Sequence, residues 1–487
     1  MNLSKSKYCS GIQCSKILWL DKYKREYRED INNESVFENG TNVGEIAKSL
    51  FGEYIDIKFN ENLNKMIEDT NKALENNKCV ITEASFVFDN NFCSVDILVK
   101  NGEELEIYEV KSSTHVSDVY MEDISYQYHI LKSLNLNVKK ASLVYINSNY
   151  VRHGDLELDK LFIIEDLTDY VTKNEVNVIN NILSINEYMT QKDEPFKDID
   201  MYCFQPYLCP YFKYCGKKLG EMNVFNIRGM QIGTKIKLYK KGIYKYEDLI
   251  NEKLNEKYSE QIDFEINNKK DKINIKNIKN FLSTLYYPLY FLDFETFQQS
   301  IPKYDNISPY EQIPFQYSLH YIESENSELK HTEYLAEPDI DPRYSLACSL
   351  VNDIPKDVCV LAYNMKFEKM VIKKLAKLYP DLREHLLNIY DNIHDLMIPF
   401  VNRDYYTKDM HGSYSIKYVL PALFPNDPSL DYHNLEMVHN GSEASNTYAN
   451  LGKYSLEEQE KIRKNMLKYC ELDTYAMVKI WQKIKQL

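Results

Sequence analysis

The 487-residue sequence lacks any uninterrupted apolar run long enough to span a lipid bilayer. The N-terminal residues MNLSKSKYCSG also lack the apolar core of a signal peptide. These two absences predict a cytoplasmic protein with no membrane partner. In that compartment, the ten cysteines favour buried thiols or metal ligands over disulfides.

An excess of basic residues is also missing from the sequence. The net charge of −14 argues against a uniformly basic nucleic-acid-binding protein, although a local basic groove beside acidic metal sites is compatible with it. With 44% apolar and 27% charged residues, the composition is that of an ordinary globular protein. The length exceeds what a single hydrophobic core holds, so we expect two or three domains.

Residues 94–113 predict a β-hairpin that presents acidic and basic side chains. An Asn-Gly pair, the strongest short turn signal, separates an apolar run from a strand of alternating character. Side chains two apart on a strand share a face, so Glu109 and Lys111 point the same way, and Asp96 lies on the partner strand. Two carboxylates can hold a hard divalent cation that polarises a phosphate, while a lysine stabilises negative charge in the transition state. The alternative is a pair of exposed strands with a surface Glu–Lys pair.

The residues Asp96, Glu109 and Lys111 resemble the signature of the PD-(D/E)XK nucleases, specifically their RecB-like branch. The resemblance implies that Asp96 and Glu109 bind Mg²⁺ or Mn²⁺ and that Lys111 supports the attacking water. It also implies that Gln127, on the helix predicted after the hairpin, lies beside the metal site.

The sequence departs from the RecB-like pattern before the hairpin. Those families place a metal-binding histidine in a Gly-x-x-x-His motif, whereas this sequence has Gly40 and Gly44. The adjacent Glu45 is a weak substitute, and residues 34–52 predict a turn at Gly40 followed by an amphipathic helix. Glu83 is a further acidic candidate, although a surface position is favoured for it.

Cysteines recur at C-x5-C-x5-C spacing, as Cys203, Cys209 and Cys215, in a loop that prolines keep irregular. Three thiolates in such a loop suit a soft metal or an iron–sulfur cluster. Cys14 is the candidate fourth ligand. One N-terminal cysteine with three after the nuclease core resembles the iron–sulfur RecB-like nucleases, which implies a structural [4Fe-4S] cluster. Zinc and buried free thiols remain the alternatives.

A second candidate site begins in the apolar run from Leu289 to Phe297, which contains Asp293 and Glu295. On a strand these two acids share a face. Two carboxylates in a buried strand repel each other and lose hydration at high cost unless a cation lies between them. The run therefore indicates a metal site.

Three later features complete this candidate site. Glu368 falls in the first turn of a predicted helix, and Asp395 follows a short strand, where it is expected to orient a loop rather than to bind metal. Tyr469 and Asp473 are four residues apart on one face of a helix that opens with a capping box. The order of these motifs resembles the DnaQ-like (DEDD) exonucleases of the RNase H-like fold, in their tyrosine subtype. Glu368 departs from that pattern, which usually has aspartate.

The sequence therefore predicts an α/β protein in three parts. Residues 1–216 are expected to form a PD-(D/E)XK restriction-endonuclease-like domain with the cluster, 217–285 a helical connector, and 286–487 an RNase H-like domain. The whole chain resembles a bacterial family that joins a RecB-like nuclease to a DnaQ-like domain.

These resemblances imply a metal-dependent nuclease that hydrolyses phosphodiester bonds, with DNA favoured over RNA as the partner. In the second site, two metal ions would be held by Asp293, Glu295, Glu368 and Asp473, and Tyr469 would orient the water. One alternative is an RNA exonuclease that acts only through the C-terminal domain. The other is a non-catalytic nucleic-acid adaptor built on degenerate nuclease folds.

Overall fold

The computed structural model describes residues 3–30 and 34–487, which form a mixed α/β protein as the sequence predicts. The chain divides into two compact units. The first comprises Met1–Gly220 and Gln299–Tyr310, and the second comprises Glu221–Gln298 and Glu311–Leu487. The boundaries expected after residues 216 and 285 differ from this division, because the segment expected as a connector belongs to the second unit.

A seven-stranded sheet forms the centre of the first unit. Its strands are β1 (Leu3–Ser4), β2 (Ile55–Asp56), β3 (Lys78–Phe88), β4 (Asn91–Asn101), β5 (Glu104–Lys111), β6 (Asn137–Ile146) and β7 (Phe162–Asp166). Six of them lie in the order β2-β3-β4-β5-β6-β7, and β1 pairs with β4. The β3-β4-β5 part is antiparallel, whereas β6 runs parallel to β5.

Seven helices accompany this sheet in the described residues of the first unit. They are α1 (Lys5–Tyr23), α2 (Glu34–Ala47), α3 (Leu63–Leu74), α4 (Asp118–Ser133), α5 (Leu158–Leu161), α6 (Thr168–Met189) and α7 (Phe212–Cys215). A parallel pair of neighbouring strands needs a crossover, and α4 provides it between β5 and β6.

The β4–β5 hairpin is confirmed, with Asn101 paired to Glu104 at the turn. Gly102 has a φ of +63°, a conformation that glycine adopts without steric cost. The turn expected at Gly40 is wrong, because α2 continues through that position.

A five-stranded sheet and a separate two-stranded ribbon form the sheets of the second unit. The strands are β8 (Lys272–Ile273), β9 (Leu289–Phe297), β10 (Ile313–Ile322), β11 (Lys330–Leu335), β12 (Cys359–Ala362), β13 (Ile393–Asp395) and β14 (Tyr405–Tyr406). The larger sheet has the order β11-β10-β9-β12-β13, and β8 pairs with β14. In that sheet β9, β10 and β11 are antiparallel, whereas β12 and β13 run parallel to β9.

Helices of the second unit precede the sheet, connect its strands and follow it. They are α8 (Ile232–Lys240), α9 (Tyr246–Leu249), α10 (Glu256–Ile266), α11 (Ile275–Leu282), α12 (Arg343–Asp353), α13 (Lys366–Leu378), α14 (Arg383–Asp391), α15 (Ile398–Val401), α16 (Ile416–Leu423), α17 (Gly441–Ala449) and α18 (Leu456–Lys485). The long helix α18 starts at the predicted capping box, in which Ser455 and Glu458 each cap the backbone of the other.

The expected connector contributes side chains to the core of the second unit. Phe264, Ile278 and Phe281 are buried in one cluster with Phe291 of β9 and Trp481 of α18. Apolar side chains in the connector thus gain burial by packing on the β9 sheet, which a free linker would leave exposed.

Within the residues that the structure describes, no helix combines the length and the apolar character needed to cross a membrane.

Candidate active sites

Three of the predicted acids lie next to one another in the second unit. One carboxylate oxygen from each of Asp293, Glu295 and Asp473 lies within 4.8 Å of the others. The strand β9 supplies the first two on one face, and α18 packs against that strand and supplies the third. Oxygen ligands bind Mg²⁺ or Ca²⁺ at roughly 2.0–2.6 Å, so one cation can contact all three residues at this spacing.

Burial makes the ionised forms of these acids costly. It raises the pKa of Glu295 to about 8, with a further contribution from Asp473. It also raises the pKa of Asp473 to about 6, although hydrogen bonds from two tyrosines and the charge of Lys417 oppose that shift. Asp293 has a pKa well above its usual range, because it is desolvated and faces the other acids. A cation among them would favour the ionised forms and remove the repulsion.

Glu368 extends from the first turn of α13 toward Asp293. It is 2% exposed, and its Oε2 atom has no hydrogen-bond partner in the described structure. Burial, followed by the charge of Asp395, raises the pKa of Glu368 to about 8. A buried carboxylate oxygen without a partner is unfavourable, and a cation would satisfy it.

Asp395 has the loop-orienting position that the sequence favours. Its Oδ1 atom accepts backbone N–H hydrogen bonds from Asn364 at 3.0 Å and from Met397 at 2.9 Å. These bonds fix the loops that follow β12 and β13.

Two tyrosines hold the carboxylate of Asp473. The predicted Tyr469 hydrogen-bonds to it from the preceding turn of α18, and the Tyr432 hydroxyl donates to Oδ1 at 2.6 Å. Burial and the charge of Asp473 raise the pKa of both phenols, so both remain protonated donors. The sequence does not indicate Tyr432, because it lies in an irregular segment without a periodic pattern.

An open cavity of about 990 Å³ adjoins this acidic site. Tyr432 and Lys417 line it, and the Lys417 charge lowers the pKa of both Glu295 and Asp473 against the effect of burial. Gly441 opens α17 beside Glu295, where an added Cβ would lie 3.5 Å from Oε2. Tyr432 thus connects the cavity wall to Asp473.

In the first unit, the hairpin brings the predicted signature residues together. The Lys111 ammonium donates to Glu109 Oε1 at 2.6 Å, and Gln127 Nε2 donates to Glu109 Oε2 at 2.7 Å. Asp96 Oδ2 accepts the backbone N–H of Val110 at 2.7 Å, which ties the two strands together. Glu109 is 1% exposed, so its charge depends on these partners.

Two further charged residues, which the sequence reasoning missed, complete the first site. Lys5 Nζ lies 2.8 Å and 3.0 Å from the two oxygens of Glu109 and 3.4 Å from Asp96 Oδ1. Asp123 Oδ2 accepts from Lys111 Nζ at 2.6 Å. Asp123 precedes Gln127 by four residues on α4, so helical spacing could have indicated it. Lys5 has no local signal.

The charges of this site are therefore balanced largely by its own lysines. Burial alone would lower the pKa of Lys5, but Asp96, Glu109 and Asp123 keep it well above its usual value. Lys111 likewise has a raised pKa, because Glu109 and Asp123 outweigh its burial. Both ammonium groups are thus charged at neutral pH.

A cavity of about 350 Å³ opens in front of this first site. Glu83, for which a surface position was favoured, lines the cavity, and burial, followed by the charge of Asp96, raises its pKa to about 7. Glu45 lines the cavity too, but it forms an ion pair with Lys48 at 2.7 Å. At the position of the missing histidine, no described atom outside the neighbouring residues and the helix backbone comes within 4 Å of a Cβ added to Gly44.

The four predicted cysteine ligands line one pocket of the first unit. Cys14 reaches it where α1 is interrupted, with a non-helical φ of −162° and ψ of 109°. The neighbouring Gln13 Nε2 donates to the carbonyls of Tyr202 at 2.9 Å and Tyr207 at 2.7 Å, which fixes α1 to the cysteine loop.

The spacing of the cysteine sulfurs bears on the choice of metal. Among the described residues, no group of three potential ligands within 4.8 Å of one another includes a cysteine. Tetrahedral zinc with Zn–S bonds of about 2.3 Å requires thiolates closer than about 4 Å. Burial raises the pKa of Cys203 to about 11 and that of Cys209 to about 12, and the neighbouring thiols contribute further.

The comparison with known families covers one part of the second unit. A family described as a domain of unknown function (DUF2779) matches residues 290–415. The matched region contains Asp293, Glu295 and Glu368 but ends before Tyr469 and Asp473. No curated protein matches the chain.

Proposed function

We propose that the protein is a metal-dependent nuclease that hydrolyses phosphodiester bonds in its second unit, with DNA as the favoured substrate. The carboxylate group carries the proposal: Asp293, Glu295 and Asp473 offer oxygens within 4.8 Å of one another in a desolvated position. Burying three acids side by side costs free energy, and a bound cation or a proton needed for the reaction would offset that cost.

The strand order of the second unit supports an RNase H-like fold. Three antiparallel strands, β9 to β11, continue into the parallel strands β12 and β13, and β9 lies at the centre. In the DnaQ-like reading, the first acidic motif occupies such a central strand and the last acidic motif a C-terminal helix. Asp293 on β9 and Asp473 on α18 fit those positions.

The donor set of the second site fits Mg²⁺ or Mn²⁺. All the ligands offered are carboxylate oxygens, which these hard cations prefer. The unpartnered Oε2 of Glu368 provides a further ligand beyond the three clustered acids. When bound, the metal ions would supply an activated water and stabilise the leaving oxygen.

The surrounding residues of this chain position the reactants. The Tyr469 phenol, kept protonated by burial and by Asp473, donates its one proton to Asp473, so its oxygen can accept a hydrogen bond from the incoming water and orient it. Lys417 brings positive charge to the cavity that leads to the acids, where it would attract a phosphate and offset its charge.

The first unit has a strand and helix order that supports a PD-(D/E)XK-like fold, with α4 connecting β5 to β6. Its acids fit a metal less well, because the Lys5 ammonium already lies within hydrogen-bond distance of both Asp96 and Glu109. We assign no step to a metal there. This observation favours a division of roles in which the first unit binds nucleic acid and the second unit cleaves it.

We also propose that Cys14, Cys203, Cys209 and Cys215 hold a [4Fe-4S] cluster. The four residues line one pocket, and no three of their sulfurs lie within 4.8 Å of one another. A cluster core lies between its four thiolates and needs the wider spacing. The cluster would join α1 to the loop after α6 and so stabilise the first unit.

The decisive experiment is a nuclease assay on the full chain with single- and double-stranded DNA and RNA, in the presence of Mg²⁺ or Mn²⁺. Asp293→Asn should abolish cleavage, whereas the exposed Asp409→Asn in the same unit should cleave like wild type. Glu109→Gln tests the first site in the same assay.

Each alternative gives a different pattern. Cleavage of RNA alone, lost with Asp293→Asn and kept with Glu109→Gln, indicates an RNA exonuclease. Cleavage lost only with Glu109→Gln moves the chemistry to the first unit. Tight nucleic-acid binding without cleavage of any substrate contradicts the nuclease proposal and indicates an adaptor.

A further inference from the structure

The sheet face that carries Asp293 continues across β10 and β11 to two histidines. Ser318 pairs with Asp293 across the β9–β10 ladder, and His320 pairs with His331 across the β10–β11 ladder. Residues paired across a ladder place their side chains on the same face, and Ser318 and His320 are two apart on one strand. The helix α18 packs on this face and contributes Glu471.

His320, His331 and Glu471 are arranged closely enough to bind one ion. One ligand atom from each of the three lies within 4.8 Å of the others, and the two imidazole rings have centroids 4.5 Å apart. His320 is 4% exposed, whereas the His331 side chain is 23% exposed and Glu471 is at the surface. An ion can therefore reach the group from solvent.

A hydrogen-bond chain fixes both imidazoles. His320 Nδ1 lies 2.8 Å from Thr474 Oγ1, which lies 2.7 Å from Ser318 Oγ, and that atom lies 2.9 Å from His331 Nε2. Thr474 Oγ1 also donates to the backbone carbonyl of Glu471 at 3.1 Å.

The hydroxyl protons available to this hydrogen-bond network determine the tautomers of both histidines. The single Thr474 hydroxyl proton goes to the carbonyl, which accepts only, so the Ser318 proton must go to Thr474 Oγ1. His320 Nδ1 and His331 Nε2 must then each carry a proton and donate. Both neutral imidazoles therefore keep a lone pair on the other nitrogen, His320 Nε2 and His331 Nδ1.

These two nitrogens are not used elsewhere in the fold. In residues 3–30 and 34–487, neither His320 Nε2 nor His331 Nδ1 has a hydrogen-bond partner, and no side chain forms an ion pair with Glu471. A hydrogen bond that fixes one imidazole nitrogen and leaves the lone pair of the other nitrogen unused is the usual outer-shell arrangement of a metal-binding histidine.

We propose that His320, His331 and Glu471 form a second metal site of the second unit, which binds a zinc-type ion and is separate from the carboxylate site. Two imidazole nitrogens and one carboxylate oxygen match the preference of Zn²⁺ and of neighbouring first-row ions. Mg²⁺ prefers oxygen ligands and a bound water shell, so it competes poorly here.

The site would have a positioning role for α18. Glu471 lies two residues before Asp473, and the histidines lie on β10 and β11. An ion held by all three would fix the register of α18 against the sheet. The carboxylate of Asp473 and the phenol of Tyr469 would then be held in place relative to β9.

Zn²⁺ binding to the chelator-treated full chain tests the proposal, with equilibrium dialysis and total-metal analysis in excess Mg²⁺. Cysteines that lack the cluster would also take up Zn²⁺, so the informative quantity is the difference between variants. His331→Ala and Glu471→Gln should each bind one Zn²⁺ fewer per chain than wild type. Glu460→Gln is the matched control, because it is the same substitution at another exposed position of α18, and it should bind as many as wild type.

A thermal measurement guards against misfolded variants. Zn²⁺ in excess Mg²⁺ should raise the melting temperature of Glu460→Gln more than that of Glu471→Gln, and Glu471 is exposed, so its variant is expected to fold. Asp293→Asn should retain the full zinc count, which separates this proposal from the nuclease proposal. Equal zinc counts in wild type, His331→Ala and Glu471→Gln overturn it.

Discussion

The carboxyl group of Asp293 lies among Glu295, Glu368 and Asp473, and burial and these neighbours hold its pKa well above the usual value. At neutral pH the folded chain must therefore either keep protons on these acids or bear their repulsion. Both costs depend on pH and on the presence of a cation, which makes them measurable.

The first prediction concerns stability against pH in the metal-free protein. Glu295 and Glu368 have a folded-state pKa of about 8, against about 4.3 when unfolded. The folded state therefore binds their protons more tightly, and that stabilisation is fully present below about pH 4 and is lost as the pH rises through 8. The melting temperature should fall between about pH 5 and pH 9.

Excess Mg²⁺ should remove most of that decline, because an ion bound only to the folded state stabilises it. Asp293→Asn should also reduce the decline and should eliminate the response to Mg²⁺. A melting temperature that stays constant or rises over this pH range in the metal-free wild type contradicts the description of the site.

The second prediction concerns Lys5 in the first site. Lys5→Ala removes the ammonium from between Asp96 and Glu109, so these carboxylates should become available to a cation. We expect Mn²⁺ to raise the melting temperature of Lys5→Ala more than that of wild type. Lys7→Ala, at an exposed position of the same helix, is the control, and equal shifts in all three proteins would show that Lys5 does not block a metal.

The third prediction separates rate from binding at Tyr469. Tyr469→Phe keeps the ring but removes the hydroxyl, so the acids should still bind Mg²⁺, as measured by the melting temperature. Cleavage should slow by about 10²-fold or more, the scale of losing one fixed hydrogen-bonding group at the reacting atoms. Tyr454→Phe, at an exposed position of the same unit, is the control. An unchanged rate would remove Tyr469 from the mechanism.

At the scale of elements, the helix α1 is interrupted at Cys14. The residues around Cys14 are helical, and Cys14 alone leaves the helical conformation and lines the pocket of the other three cysteines. Proline is one local cause of a helix break, and α1 contains no proline. The proposed cluster, which needs the Cys14 sulfur in the pocket, would account for the break.

The fourth prediction follows from that interruption. Protein purified without oxygen should be brown and absorb near ~400 nm, as a thiolate-bound iron–sulfur cluster does. Cys203→Ser should bleach it and lower the melting temperature of the first unit, whereas Cys348→Ser in the second unit should change neither. A colourless preparation whose zinc content falls by one per chain in Cys203→Ser would replace the cluster by zinc.

The sequence predicts the local elements that carry the sites, but it does not predict the residues that reach those sites from distant segments. The β4–β5 hairpin follows from its Asn-Gly turn signal. The strand with Asp293 and Glu295 follows from the two-residue period of side chains on a strand. Lys5 and Tyr432 reach the same sites from distant segments with no pattern of their own. The histidine pair was missed for the same reason, since His320 and His331 meet only through strand pairing.

At the scale of the whole molecule, the expected boundary at residue 286 cuts through a core. It separates Phe264, Ile278 and Phe281 from the sheet on which they pack, and it removes β8 from its pairing with β14. The sequence does not indicate this packing, because residues 217–285 have the composition of a surface segment and their apolar side chains are sparse.

The fifth prediction tests this boundary with two fragments. Residues 221–487 should unfold cooperatively on heating, because they contain the complete core of the second unit. Residues 286–487 should unfold at a lower temperature with a broader transition and should bind a hydrophobic dye, since burial of the removed side chains is lost. Equal transitions would place 221–285 outside the core.

The short segment Gln299–Tyr310 belongs to the first unit although the second unit's chain surrounds it in the sequence. Its residues bond to the loop after β6: Arg152 donates its backbone N–H to the Ile307 carbonyl at 3.1 Å, and Gly154 donates to Asp305 at 2.8 Å. During synthesis, most of the first unit therefore leaves the ribosome before residues 299–310, which complete that unit, are made. The first unit therefore gains these contacts only after β9, a strand of the second unit, has been synthesised.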